Sequence, residues 1–117
     1  MDVERLREIC LALPYVEEKF PFDDYTLVFY VGSKMFALTD LQTPNSVNLK
    51  CKPEQAIELR ERYVGFVPGY HMNKKHWNTV TLNADVTDKL ISELVNHSYR
   101  LVWNKLPRKE REALITG

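Results

Sequence analysis

Residues 68–79 form the densest group of side chains in this chain that could bind a partner. The segment reads Pro68-Gly69-Tyr70-His71-Met72-Asn73-Lys74-Lys75-His76-Trp77-Asn78-Thr79. Lysines contact phosphates, amide side chains donate and accept hydrogen bonds, and aromatic rings stack on planar bases. Because a protein core takes polar side chains only when their partners are supplied, the segment predicts an exposed loop that leads into a strand.

Polar side chains from two preceding strands extend this surface. Lys34 lies at the tip of a predicted hairpin, and Asn48 and Lys50 are predicted to point outward from the next strand. We predict contact with the sugar-phosphate backbone of DNA and weak sequence preference, because no helix is suited to the major groove. The predicted contact residues are Lys34, Asn48, Lys50, Tyr70, His71, Asn73, Lys74, Lys75, His76, Trp77 and Asn78.

The same loop also has a purely structural interpretation. Asn and His side chains commonly satisfy the backbone groups of their own turns, so Asn73 and His76 could serve the loop itself. Trp77 either supports the loop from beneath or stacks on a base. The residue types alone do not separate these alternatives.

The charge distribution argues in two directions. The chain has 16 basic and 16 acidic residues, whereas dedicated nucleic-acid binders usually carry a basic excess. No carboxylate occurs between Arg62 and Ala84, however, so Lys74 and Lys75 have no neutralising partner nearby in the sequence. This pattern predicts a positive patch on a neutral protein.

A second basic group lies near the end of the chain. Its members are Arg100, Lys105, Arg108, Lys109 and Arg111. Basic residues late in a helix favour its negative end, and Glu110 and Glu112 dilute the local field. We therefore favour a structural role for this group over DNA contact.

Metal binding and catalysis have little support in the sequence. His71, His76 and His97 do not share ligand spacing with one another or with a cysteine or carboxylate. Cys10 and Cys51 are too few for a disulfide framework, and neither belongs to a nucleophile motif. We predict a protein that is not an enzyme and that uses no metal or other cofactor.

The elements that must position these residues follow from periodicity and turn signals. We predict that Gly32-Ser33 joins two strands in which Phe29 lies opposite Phe36 and Leu27 opposite Leu38. The predicted elements are a helix over 3–13, strands over 27–31, 34–38 and 46–50, a helix over 53–63, a strand over 77–82, a long helix capped by Asp85, and a final helix over 108–115. This order indicates an α+β two-layer sandwich, with helices packed on one face of an antiparallel sheet.

The length and composition indicate a small soluble protein. With 117 residues, 44% hydrophobic and 27% charged, we predict a single domain over 1–117. The charged start Met1-Asp2-Val3-Glu4-Arg5 is unlike a secretory signal, and no apolar run approaches the roughly 20 residues of a membrane span. We therefore expect a cytoplasmic protein with no membrane partner.

Several motifs resemble those of one protein family. They are Leu13-Pro14 with Val16-Glu17-Glu18, Lys34-Met35-Phe36-Ala37, residues 47–51, Pro53-Glu54, residues 68–80 and His97-Ser98-Tyr99. Together they cover nearly the whole chain and resemble the MmcQ/YjbR family. The resemblance implies a frataxin-like fold, as in CyaY, and a "double wing" mode of DNA binding, in which loops and hairpins of the sheet approach the duplex. It brings no catalytic residues.

Two functions remain open from the sequence. The first is a DNA-binding protein that uses the loop and the hairpin as described. The second is a non-enzymatic module that binds a small molecule or a protein partner through the same polar and aromatic surface. Tyr70, His71, Trp77 and Asn48 could line a pocket for a planar ligand.

Overall fold

The computed structural model describes residues 1–69 and 72–117. Within these residues the chain forms six strands and four helices. In chain order they are α1 (Val3–Leu11), β1 (Val16–Lys19), β2 (Thr26–Val31), β3 (Lys34–Asp40), β4 (Ser46–Lys50), α2 (Pro53–Arg62), β5 (Phe66–Pro68), β6 (Trp77–Thr81), α3 (Asp88–Lys105) and α4 (Arg108–Thr116). Each helix in this part of the chain is too short or too polar to cross a lipid bilayer.

The strands form one antiparallel sheet in the order β1-β2-β3-β4-β6-β5. The buried side chains of α1, α2 and α3, such as Leu6, Ala56 and Ile91, join one core cluster with Phe29 and Val47 of the sheet. Alternation along β4 explains this layering, because Val47 and Leu49 turn inward while Asn48 and Lys50 turn outward. The predicted α+β sandwich, with helices on one face of the sheet, is confirmed.

Both outer strands of the sheet were missed in the sequence. β1 consists of Val16-Glu17-Glu18-Lys19, whose charges hide a strand pattern, and β5 is only three residues long and ends in Pro68. Proline lacks the N–H that a ladder needs, so it argues against a strand except at an edge. These two edges lie on either side of the four predicted strands.

The hairpin of β2 and β3 has a different register from the one predicted. Val31 pairs with Lys34, but a bulge then places Phe29 opposite Ala37 and Leu27 opposite Thr39. The predicted pairs of Phe29 with Phe36 and of Leu27 with Leu38 are therefore wrong. The bulge turns both Phe36 and Ala37 into the core. There the Phe36 and Tyr99 rings pack edge to face, with their centroids 5.4 Å apart.

The start of α3 is also corrected. Thr87, and not Asp85, is the N-cap residue, and its hydroxyl accepts a hydrogen bond from the Leu90 N–H. The Asp85 carboxylate instead accepts the N–H groups of Val64 and Gly65, at 2.7 and 2.8 Å. Asp85 thus joins the turn before β5 to the segment that leads into α3.

Candidate nucleic-acid interface

Several of the predicted contact residues lie at one end of the sheet. β2, β4 and β5 run in the same direction, because an antiparallel strand separates each of them from the next. Their carboxyl ends therefore lie together, and they lead into the Gly32-Ser33 turn, the Lys50 end of β4 and the loop before β6. The β2–β3 turn and the β5–β6 loop each connect two strands that pair with each other in the sheet.

Local hydrogen bonds stabilise residues 73–77, the part of the loop that leads into β6. The Asn73 carbonyl accepts the N–H groups of His76 and Trp77, and the Asn73 side-chain oxygen accepts the N–H of Lys75 at 3.0 Å. The His76 carbonyl accepts the Cys51 N–H at 2.7 Å, which fixes the loop beside the end of β4. Asn73 therefore stabilises the turn in which it lies, as the structural interpretation of the sequence predicts. Lys74 and Lys75 remain exposed.

Lysines from three separate parts of the chain meet beside this loop. Burial lowers the pKa of Lys50, and the nearby charges of Lys105 and Lys34 lower it further. Burial also lowers the pKa of His97, as do the charges of Lys52 and Arg100. We call this surface the basic end, and it comprises Lys34, Lys50, Lys52, Lys74, Lys75, Arg100 and Lys105.

No member of the basic end forms an ion pair within residues 1–69 and 72–117. The carboxylate of Glu110, on the neighbouring helix α4, is held by Ser33, whose N–H and hydroxyl donate to it at 2.5 and 3.1 Å. These bonds also fix the tip of the β2–β3 hairpin against α4. The hairpin is therefore a braced turn, with Lys34 exposed beside it.

Two predicted contact residues are buried. Asn78 is 2% exposed and faces the core, where its side-chain amide donates to the Ala56 carbonyl at 3.2 Å. Trp77 is 7% exposed, and its Cβ lies so close to Gly69 that a side chain there would collide with it. Asn78 therefore leaves the contact surface, and Trp77 supports the loop instead of stacking on a base.

The other predicted residues are divided between two places. Asn48 lies on the helix-free face of the sheet, half-buried, where it accepts the Thr79 hydroxyl at 2.5 Å. His76 is half-buried within the loop. Tyr70 and His71 lie outside the described residues.

The second basic group of the sequence is split by the fold. Arg100 and Lys105 join the basic end, while Arg108 pairs with Glu112 on α4 at 2.9 Å. The favoured structural role therefore fits Arg108 and also Lys105, which lies in the last turn of α3, near the negative end of that helix. Sequence distance concealed this grouping, because only the packing of α3 across the sheet brings Lys105 to Lys50.

Comparisons with known proteins identify the family. A family model described as YjbR matches residues 11–101. The chain belongs to the YjbR family. It is 34% identical to the uncharacterized protein YbdF of Escherichia coli O157:H7, over 97% of this chain and 94% of that protein. It is 33% identical to the uncharacterized protein YjbR of Escherichia coli K12, over 98% of both chains.

Solved structures of other proteins share this fold. The crystal structure of the Deinococcus radiodurans protein DR2400, with family-model domain DUF419, has a TM-score of 0.89 and 47% identity. The match covers 96% of this chain and 86% of that one. A crystal structure of a Pseudomonas syringae protein has a TM-score of 0.74 and 27% identity, over 86% of this chain and 98% of that one.

Some motif residues of this YjbR-family chain hold the interface together. The Ser98 hydroxyl, fully buried on α3, accepts the Lys50 N–H at 2.9 Å and donates to the Phe36 carbonyl at 2.6 Å. It thereby links β3 and β4 beside the bulge. The Tyr99 hydroxyl donates to the Pro14 carbonyl at 2.6 Å, which ties α3 to the segment before β1.

The described residues contain no group of three or more His, Cys, Asp or Glu side chains placed to hold a metal ion. Burial raises the pKa of Cys10 to about 12 and is the main cause that raises the pKa of Cys51 to about 11. Thiols with such pKa values are almost fully protonated at neutral pH and are therefore poor nucleophiles.

Proposed function

We propose that this YjbR-family protein binds duplex DNA through the basic end. Lys34, Lys50, Lys74 and Lys75 of the predicted surface contact the sugar-phosphate backbone, and Lys52, Arg100 and Lys105 extend the contact. Such contacts position a protein on DNA but carry little sequence information, so weak sequence preference follows. In this proposal the protein acts by binding and does not catalyse a reaction.

The crowding of cations around Lys50 is the observation that carries this proposal. Lys50 is partly buried, the charges of Lys105 and Lys34 act on it and lower its pKa, and no carboxylate pairs with any of the three among the described residues. Like charges held together without compensation favour an anionic partner, which relieves their repulsion. A row of phosphates supplies such charge at close spacing.

The arrangement of the connections gives further support. The braced β2–β3 turn and the loop between β5 and β6 lie at the same end of the sheet, on either side of β4. Two projections of this kind match the double-wing mode that the family resemblance implies. Hydrogen bonds from Ser33 to the Glu110 carboxylate hold the first projection, and backbone hydrogen bonds hold residues 73–77 of the second, so little conformational entropy is lost at these positions on binding.

Fluorescence anisotropy of a labelled random-sequence duplex, at several salt concentrations, tests the proposal. Lys74→Ala/Lys75→Ala and Lys50→Ala/Lys105→Ala should each weaken binding and reduce the slope of log affinity against log salt by about one to two. Arg5→Ala/Lys89→Ala is the matched control, since it removes the same charge from exposed positions on α1 and α3 outside the basic end. Equal losses in the control, or no binding at low salt, would refute the proposal.

A further inference from the structure

The helix-free face of the sheet contains a pocket with a volume of about 670 Å³. We call it the sheet pocket. Outward-facing residues of β3 and β4 line the pocket. Residues of two loops, one before β2 and one before β6, also belong to its lining. Its volume lies within the roughly 300 to 1,000 Å³ typical of small-molecule sites.

The lining of the sheet pocket combines an apolar floor with two carboxylates. Met35, Leu38 and Met72 contribute apolar surface, and Tyr25 adds an aromatic side chain. Asp23 and Asp40 lie in the same lining. Apolar surface with a few fixed polar groups is the usual composition of a small-molecule site.

Hydrogen bonds hold Asp23 in place as a carboxylate. One of its oxygens accepts the N–H groups of Tyr25 and Thr26, at 3.1 and 2.6 Å, and the other accepts the Thr26 hydroxyl at 2.9 Å. Burial acts to raise the pKa of Asp23, but the hydrogen bonds from Thr26 and Tyr25 outweigh it and lower that pKa. Asp23 is therefore ionised at neutral pH.

The negative charge of the sheet pocket is not neutralised within residues 1–69 and 72–117. Neither Asp23 nor Asp40 forms an ion pair there. The nearby charges of Asp23, and to a lesser degree Asp40 and Asp24, raise the pKa of Tyr25. This field repels phosphates and attracts cations, so the pocket does not suit the partner of the basic end.

We propose that the sheet pocket binds a small organic cation, a protonated amine carried on an apolar or aromatic body. The amine lies at the Asp23 and Asp40 side, and the apolar body covers Met35, Leu38 and Met72. A bare metal ion is a poor alternative, because the described residues bring no three metal-ligating side chains together. The sheet pocket differs from the basic end in the sign of its charge.

Methionine methyl NMR tests this proposal directly. The chain has three methionines, of which Met35 and Met72 line the pocket, while the Met1 ammonium is bound to the Asn83 side chain, away from it. Protein labelled with ¹³C at the methionine methyl groups is titrated with phenethylamine, its neutral analogue 2-phenylethanol and the anion 3-phenylpropionate. We expect phenethylamine to shift the Met35 and Met72 signals saturably and to leave Met1 unchanged.

Comparison of the three compounds and of two variants decides the outcome. We expect phenethylamine to bind about three- to tenfold more tightly than 2-phenylethanol, and the anion not to bind. The Asp40 carboxylate accepts the Gln42 N–H at 2.8 Å, and Asp40→Asn keeps an oxygen for this hydrogen bond. The variant should remove most of the preference for the amine over the alcohol. Glu58→Gln, at an exposed position on α2, should retain it.

Three results would contradict the proposed amine site. Equal affinity for the amine and the alcohol, or shifts that spread to Met1, would overturn the proposal. An absence of saturable shifts up to millimolar concentrations would do so as well. The comparison of ligands on the unmodified protein needs no variant, so a folding defect in Asp40→Asn would not remove the test.

Discussion

At the scale of single residues, the buried Ser98 side chain connects α3 with two strands of the sheet. Its hydroxyl lies between the Lys50 N–H and the Phe36 carbonyl, and both bonds are inside the fold. Ser98→Ala leaves a backbone donor and an acceptor without this partner. We expect the free energy of unfolding to fall by about 1 to 3 kcal/mol, measured by urea denaturation.

Ser92→Ala on the same helix is the matched control for this change. Ser92 is partly exposed, and its backbone carbonyl, rather than its hydroxyl, accepts a hydrogen bond from the Asn96 side chain. The control should therefore alter stability by less than about 0.5 kcal/mol. Equal effects of the two substitutions would show that the Ser98 bridge contributes nothing beyond helix propensity.

Sequence reasoning identified the right segments at this scale but not the direction of every side chain. Lys74 and Lys75 are exposed as predicted, whereas Asn78, three residues after Lys75, is buried. A strand alternates faces, so Asn78 lies on the same core-facing side of β6 as Val80. Its partner, the Ala56 carbonyl, lies on a helix 22 residues earlier and left no local signal.

At the scale of elements, Asp85 connects the turn before β5 with the segment that leads into α3. The hydrogen bonds from Gly65 and Val64 lower the pKa of this carboxylate. A carboxylate with a lowered folded-state pKa stabilises the fold above its unfolded pKa, about 4, and loses that effect as the pH falls through the folded value. The contribution is therefore complete at neutral pH.

Asp85→Asn should lower the thermal midpoint at pH 7, because a neutral amide cannot accept both N–H groups as a carboxylate does. The difference between variant and parent should shrink as the pH falls from about 5 through the acid range. Thermal unfolding followed by circular dichroism over this range measures it. Glu93→Gln, exposed on α3, is the control, and a difference that stays constant with pH would contradict this role for Asp85.

The periodic elements could be predicted from the sequence, and the short ones could not. α1, α2, α3 and the four central strands have clear apolar patterns, so their positions were confirmed. β1 and β5 became strands only because β2 and β6 offered free edges for pairing. The bulge at Phe36 likewise depends on packing against α3, and a one-residue shift changes every later pair in the hairpin.

At the scale of the whole molecule, a neutral chain folds into a protein with separated charge. The basic end collects cations from β3, β4, the loop before β6 and α3, while uncompensated carboxylates line the sheet pocket. The stretch without carboxylates predicted positive charge around Lys74 and Lys75, but composition could not reveal that Lys105 lies near Lys50. The two proposed sites therefore suit partners of opposite charge.

Charge crowding at the basic end should lower stability in the absence of a partner. Lys50→Met retains an apolar side chain that can pack like the lysine stem and removes the charge beside Lys34 and Lys105. We expect stability to rise by a few tenths of a kcal/mol at low salt, a small gain because solvent screens these charges. DNA affinity should fall in the same variant.

Urea denaturation at low and high salt measures the stability difference, which should shrink as salt screens the repulsion. Lys89→Met, at an exposed position at the start of α3, is the control. A Lys50→Met protein that is less stable at low salt than its parent would contradict the proposed repulsion. A stabilised variant with undiminished DNA affinity would instead place the binding surface elsewhere.

The two edges of the sheet have a consequence for assembly. An open sheet can recruit strands from further copies of the same chain, which leads to aggregation. Here one edge is four residues long and includes exposed Glu17 and Lys19, and the other is three residues long and ends in Pro68, which cannot donate a hydrogen bond. Short, charged or proline-ended edges discourage such recruitment, so the open sheet is protected at both sides against growth into fibrils.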